Sequence, residues 1–278
     1  MRYTKMHGAG NSVVILENLR GELEGEDLRV LALRLCSRET GSGADGMIVV
    51  APASAGDDFD MLFYNADGSL GEMCGNGARC LARYGVEHGL VRDPEAIRFR
   101  ATAGRITGRR ISREQYQVRL NDPSVVDLHR PASVDGETVD CAYVELGDPG
   151  IPHAVVLASP ADFEELDALR LRGRALRFNP AFLKGANVTF ACVTGPDSVR
   201  AVTYERGVED FTLACGTGCG ATALSLLLSG RLSGQPVEIR MPGGLLRVSL
   251  TLADGQARDI LLTGPTALVE EGEFSLPE

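Results

Sequence analysis

A phrase of cysteine and glycine occurs twice in this chain, about 140 residues apart, and the repetition extends well beyond it. Met73-Cys74-Gly75-Asn76-Gly77-Ala78-Arg79 returns as Ala214-Cys215-Gly216-Thr217-Gly218-Cys219-Gly220. Each copy follows a polar segment, Tyr64-Asn65-Ala66-Asp67-Gly68 and then Tyr204-Glu205-Arg206-Gly207, and leads into a small-residue apolar run that reads as a helix. Downstream, Ile97 to Ile106 and Val237 to Leu246 both read as strand, glycine turn, strand. Upstream, Ala44-Asp45-Gly46-Met47-Ile48-Val49-Val50 is matched by Ala186-Asn187-Val188-Thr189-Phe190-Ala191, and Gly10 to Leu16 by Gly150 to Leu157. Two long copies in one order describe a duplicated domain, not a solenoid of many short repeats.

That duplication narrows the fold. Strand-like segments outnumber helical ones in both halves, with helices expected at 28–38, 75–84 and 216–228. The stretch from Asn121-Asp122-Pro123 to Arg130-Pro131 is rich in turn formers and marks the join. The expected architecture is α/β of the α+β type, with two pseudo-symmetric domains, residues 1–122 and 123–259. Each is a mainly antiparallel sheet or barrel wrapped around a central helix. The active site is expected in the interdomain cleft, where both cysteine-bearing helix starts can converge.

Composition sets outer limits. A chain of 278 residues has enough length for a sizeable core. Its net charge of −10 argues against nucleic acid or an anionic membrane as a partner. No apolar run is long enough for a membrane span, and Met1 to Gly8 lacks the apolar stretch of a secretory signal. Seven cysteines, an odd number, fit reduced thiols and a cytoplasmic location.

The two cysteines carry the chemistry. A thiol just before a helix is acidified toward neutrality by the helix N-terminus. Gly75, Gly77, Gly216 and Gly218 leave the backbone N–H groups of both helix starts open to an anion. An α-amino acid held there by its carboxylate would place Cα between two sulfurs. One could remove the proton while the other returns it on the opposite face, and hydrogen bonds to the carboxylate would stabilise the developing charge. This is racemase chemistry with no cofactor. The chain has only Lys5 and Lys184, neither in a recognisable pyridoxal-binding context.

Other readings compete. A cysteine at a glycine-rich helix start is commonly a small buried residue. Cys74, Cys80, Cys215 and Cys219 can be imagined around zinc, but their C-x5-C and C-x3-C spacings are not those of zinc knuckles, and no metal is expected. Neither glycine cluster has the Gly-Lys-Ser/Thr ending of a phosphate-binding loop. A binding module would hold an amino acid in the same cleft without turning it over. Cys36, Cys80, Cys141, Cys192 and Cys219 read as structural. Asn11, Asn65 and Asn187 follow or interrupt apolar strands and flank the expected cleft. Glu205 and Arg206 suit an ammonium and a carboxylate. His153 is as consistent with a packed, hydrogen-bonded histidine as with a supporting catalytic one.

On these residues the chain resembles the diaminopimelate epimerases over essentially its whole length. The matching phrases are Lys5-Met6-His7-Gly8-Ala9-Gly10-Asn11, Gly43-Ala44-Asp45-Gly46, Phe63 to Ser69 with Met73 to Cys80, and Tyr204 to Gly218. The resemblance implies cofactor- and metal-independent interconversion of LL- and meso-diaminopimelate for lysine and peptidoglycan synthesis, in a cytoplasmic protein that is often a homodimer. It implies Cys74 and Cys215 as the acid–base pair. It further implies that Gly75, Asn76, Gly216 and Thr217 hold the reacting carboxylate, and that Asn11, Asn65, Asn187, Glu205 and Arg206 hold the distal amino acid end. By the same resemblance the last strand, within about 260–278, returns to the first domain.

Three positions depart from the family pattern. Ile151 stands where Asn is common in a Gly-Asn-Pro-His phrase, Gly46 where some members carry Gln, and Phe211 where an acidic residue is common. A related racemase of another amino acid, such as histidine, would share the scaffold.

Overall fold

The computed structural model describes residues 1–54, 56–71, 73–253 and 255–275. The chain divides into two compact units. One comprises residues 1–118 with the C-terminal segment from Gly264 onward, and the other Arg119–Thr263. The end of the segment expected to return to the first domain, 276–278, lies outside the described residues.

In the first unit the order of elements follows from the apolar pattern. Strands Arg2–Gly8 and Asn11–Glu17 form a hairpin whose two turn residues, Ala9 and Gly10, have φ of 53° and 86°. Two consecutive positive φ values match the twist of the strands they join. Asn11–Glu17 then pairs in parallel with Gly46–Ala51, and that strand pairs antiparallel with Phe59–Asn65. The parallel pair accounts for the unbroken apolar runs Val13-Val14-Ile15-Leu16 and Met47-Ile48-Val49-Val50, because both of its faces are covered. Val14, Leu16, Met47 and Val49 pack with Leu31, Ala32 and Leu35 of helix α1 (Leu28–Cys36). Asp27 caps α1 by accepting from the N–H groups of Arg29 and Val30. On the opposite face Ile48 reaches helix α2 (Gly75–Glu87), whose residues 75–85 are all buried. Helix α2 packs on Arg2–Gly8, Asn11–Glu17 and Gly104–Arg110.

The second unit repeats this plan. Ile151–Leu157 pairs in parallel with Asn187–Gly195, which pairs antiparallel with Ser198–Glu205. Helix α3 (Leu166–Arg177) supplies Leu169 and Leu176 to a core with Ala154, Val156, Val188 and Phe190, as α1 does in the first unit. Helix α4 (Gly216–Leu228) is the buried counterpart of α2, packed on Glu137–Leu146, Ile151–Leu157, Asn187–Gly195 and Gly244–Ala253. The two expected strand–glycine–strand segments are the antiparallel hairpins Ile97–Ala101 with Gly104–Arg110 and Val237–Met241 with Gly244–Ala253. Each joins its unit by a parallel pairing, Phe59 opposite Phe99 and Val199 opposite Ile239. The architecture is therefore the sheet-dominated α+β fold expected, with one buried helix in each unit.

The units differ in where one strand comes from. In the second, Glu137–Leu146 pairs with the strand just before it, Pro123–Val134. In the first, the equivalent partner of Arg2–Gly8 is Ala267–Glu273, from the far end of the chain.

Candidate active site

In each unit the cysteine of the repeated phrase is the N-cap of the buried helix. Cys74 has φ −125° and ψ 109°, and Cys215 has φ −122° and ψ 107°. The two residues share one conformation, extended backbone turning into helix, as the repeat requires. The glycines two residues into each helix are explained by what a side chain would meet. A Cβ on Gly77 would lie 3.1 Å from Ile48 Cδ1 and 3.4 Å from Cys74 Sγ. One on Gly218 would lie 3.1 Å from both Cys215 Sγ and Thr189 Oγ1, and 3.2 Å from Thr203 Oγ1. The glycines let each sulfur sit against its own helix entrance.

Around Cys74, half-buried, the backbone N–H of Gly77 donates to Sγ at 3.3 Å, and Asn11 Oδ1 stands 3.7 Å from Sγ. The tight turn at Ala9-Gly10 brings Asn11 there. Gly8 is equally constrained, since its Cβ would come within 3.0 Å of the Asn76 carbonyl. Asn76 itself is buried, and its side-chain oxygen accepts from Arg79 at 2.8 Å. Asn65 ends the strand Phe59–Asn65 opposite Gly46 and donates from Nδ2 to Ser69 Oγ at 2.9 Å.

Around Cys215, which is buried, Thr217 Oγ1 lies 3.7 Å from the sulfur. Burial pushes this thiol well above its usual range, and the nearby Glu205 carboxylate adds to the rise. The backbone N–H of Gly218 and the Thr217 hydroxyl pull the other way without offsetting it. The helix end was expected to acidify the thiol; at Cys215 desolvation wins, because a dry site disfavours the anion more than one helix terminus favours it. Glu205 Oε2 accepts from Thr212 Oγ1 at 2.9 Å, and Asn187 Oδ1 accepts from the Arg206 backbone N–H at 2.8 Å. Asn187, Glu205 and Arg206 thus gather at the ends of one antiparallel strand pair. Phe211 packs edge-on to Phe190 and Tyr204, with the Arg170 guanidinium over its ring at 5.6 Å. Ile151 faces Leu146 across its sheet pair.

His153 lies beside Asn187 in the parallel pair and is fully buried, with both ring nitrogens lacking a hydrogen-bond partner. Burial, helped by the Arg206 charge, lowers its pKa from 6.5 to about 3. The ring is therefore neutral in the folded chain. Above pH 6.5 both states are neutral and His153 contributes no pH dependence. As the pH falls from there toward 3, only the unfolded chain takes up the proton, and stability drops by about 1.4 kcal/mol per unit. The urea midpoint of the wild-type chain is expected to fall over this window more steeply than that of His153→Gln. Parallel curves for the two would refute the assignment.

Two groups were not singled out by the sequence. Glu145 is buried and binds Lys184 Nζ at 2.7 Å and the Tyr143 hydroxyl at 2.6 Å. Burial raises its carboxyl, but these two partners prevail and hold it below the ordinary range. Arg206 reaches the same neighbourhood by donating to the Lys184 carbonyl at 3.3 Å. Arg79 is the other, a charged residue wholly buried in α2. Its place five residues after Cys74, where the second copy of the phrase has Gly220, was the available signal. The remaining cysteines, 36, 80, 141, 192 and 219, are buried, and none is in a disulfide. Among the described residues, no three His, Cys, Asp or Glu side chains are grouped to hold a metal ion, and no helix is long and apolar enough to cross a membrane.

Known proteins bear on this geometry. The family model for diaminopimelate epimerase matches residues 3–124 and 147–269. The diaminopimelate epimerase of Aquifex aeolicus is 36% identical over 290 residues, covering 99% of this chain and 98% of that protein. Among solved structures, a Bacillus anthracis phenazine biosynthesis protein of the PhzF family superposes with a TM-score of 0.77 at 13% identity, covering 99% of each chain. A probable proline racemase from Agrobacterium radiobacter K84, with bound carbonate, gives 0.71 at 18% identity, covering 99% of this chain and 93% of that one. At such identities these two share the fold alone. The family match takes in both cysteine phrases and both units, and the Aquifex relative is similar from end to end: the chain belongs to the diaminopimelate epimerase family.

Proposed function

We infer that the protein epimerises LL-diaminopimelate to meso-diaminopimelate by two-base proton transfer between Cys74 and Cys215. The observation that carries this reading is the pair of repeat-related N-cap cysteines, alike in backbone conformation, each at a Gly-x-Gly helix entrance. The substrate's reacting carboxylate accepts hydrogen bonds from the backbone N–H groups of Gly75 and Asn76 on one side and of Gly216 and Thr217 on the other. Asn76 acts through its backbone, because Arg79 already occupies its side-chain oxygen. Negative charge that develops on deprotonation of Cα spreads into that carboxylate, where helix N-termini stabilise it. One thiolate takes the Cα proton, and the opposite thiol gives its own proton to the other face. The product leaves with inverted configuration and the two sulfurs with exchanged protonation. Desolvation disfavours the Cys215 thiolate, which suits this thiol to donate.

Asn11, Asn65, Asn187, Glu205 and Arg206 hold the distal amino acid group, with His153 in support. The seven cysteines, none of them in a disulfide, agree with a cytoplasmic place of work in lysine and cell-wall precursor synthesis. Incubation with LL-diaminopimelate in D2O is expected to give meso product carrying deuterium at one Cα. No deuterium in either product or recovered substrate would sink the enzyme reading and leave a binding module. A panel including L-histidine tests the substrate. Because Ile151 replaces the usual amide, preference for a monoamino acid would transfer the same mechanism to a different racemase.

A further inference from the structure

The two thiols share a backbone conformation but not an electrostatic setting. At the fifth residue beyond Cys74 the chain has Arg79; at the fifth beyond Cys215 it has Gly220. Arg79 is 0% exposed. Its guanidinium turns back along α2 to the first turn, donating to the Gly75 carbonyl at 3.3 Å and to Asn76 Oδ1 at 2.8 Å. Strand Arg2–Gly8 closes over it at Gly8, where a Cβ would stand 3.2 Å from the guanidinium nitrogen. At Gly220 the same space is apolar, since a Cβ there would meet Leu120 at 2.8 Å and Leu146 at 3.3 Å. The residue aligned with Asn65 in the second unit is Glu205, so the contrast is doubled: buried arginine and neutral amide in one, glycine and carboxylate at the same two positions in the other.

We propose that Arg79 is a positioning residue that makes the entrance of α2 the anion-favouring one of the two. It does so by fixing Gly75 and Asn76 and by placing a desolvated positive charge one turn below Cys74. A buried charge acts through low dielectric, so its field at the helix entrance exceeds that of any solvated lysine or arginine. The arrangement gives a duplicated frame a fixed direction at rest. It rests on the two-thiol reading above for its catalytic meaning, though not for its effect on Cys74.

The test uses the full chain and the variants Arg79→Met and Arg79→Lys. The first readout is the rate of iodoacetamide alkylation of Cys74 at pH 7, followed by peptide mass spectrometry. The thiolate is the reacting species, so this rate follows local charge. Arg79→Met is expected to slow Cys74 alkylation about tenfold, equivalent to one pKa unit. Arg79→Lys, keeping the charge without the fork, is expected to stay within about threefold of wild type while raising KM for LL-diaminopimelate. Buried Cys80 and Cys219 serve as internal references, remaining protected if the variant is intact. If Arg79→Met fails to fold, Arg79→Lys decides: alkylation near the wild-type rate with raised KM supports the proposal, and a tenfold fall refutes it. Unchanged alkylation in Arg79→Met with protected references overturns it outright. Should the alkylation pattern hold while wild type shows no Cα exchange, the epimerase reading fails and the role of Arg79 at Cys74 stands.

Discussion

Cys74→Ser and Cys215→Ser are each expected to lower kcat by about 10³-fold, within the range for losing one positioned acid or base. Serine keeps the shape of the N-cap and is itself a favoured capping residue, so circular dichroism and urea midpoints should match wild type. What changes is proton affinity, because a hydroxyl is neither an adequate base nor an adequate acid for Cα at neutral pH. The two thiols act in one transfer, so Cys74→Ser/Cys215→Ser should be no slower than the worse single variant by more than about tenfold. Strictly multiplicative losses, or a fully active single variant, would show that the sulfurs do not work as a pair.

Gly46→Gln is expected to cost about 3 kcal/mol, at the upper end of the overpacking range. The family resemblance makes Gln look acceptable at this position, but the structure shows the space already filled. A Cβ on Gly46 would lie 2.6 Å from Phe63 Cε2 and 2.9 Å from the Tyr64 carbonyl oxygen. The Phe63 ring also occupies the place of any side chain at Gly71, 2.4 Å from its Cβ position. Phe63 thus lies between two glycines. Phe63→Ala alone leaves a cavity and costs about 3 kcal/mol. Combined, Gly46→Gln and Phe63→Ala should cost clearly less than their sum, since each relieves the other. Additive losses in urea titrations would reject this account of Gly46.

The duplicated plan was legible because each of its parts has a local cause. Glycine turns at Ala103-Gly104 and Gly243-Gly244 punctuate alternating segments, and buried parallel strands read as continuous apolar runs such as Val13 to Leu16. Helix α4 begins and ends where its composition changes, at Gly216 and Leu228. Helix α3 was harder to see. Only Leu169, Gly173 and Leu176 of its twelve residues are buried, so four arginines dominate its sequence while a narrow stripe does the packing. At the site, residue types and spacing pointed to the thiols and the strand-end amides. They did not disclose the charge environment. Whether Cys215 is acidified or the reverse depends on how fully its surroundings exclude water, which is decided by long-range packing. Asn76 carried the same difficulty, since only the fold shows its side chain engaged with Arg79.

The strand Ala267–Glu273 lies beside Arg2–Gly8, the last strand of the chain against the first. Residues 119–263 form the second unit as one contiguous stretch, whereas the first unit needs a segment that is made after it. Although its residues are made first, it is finished last. A chain cut before Gly264 keeps every residue of the second unit and leaves the edge of Arg2–Gly8 uncovered in the first. The first edge strand to be made is thus the one whose partner comes latest, and until then it is open to pairing with another chain.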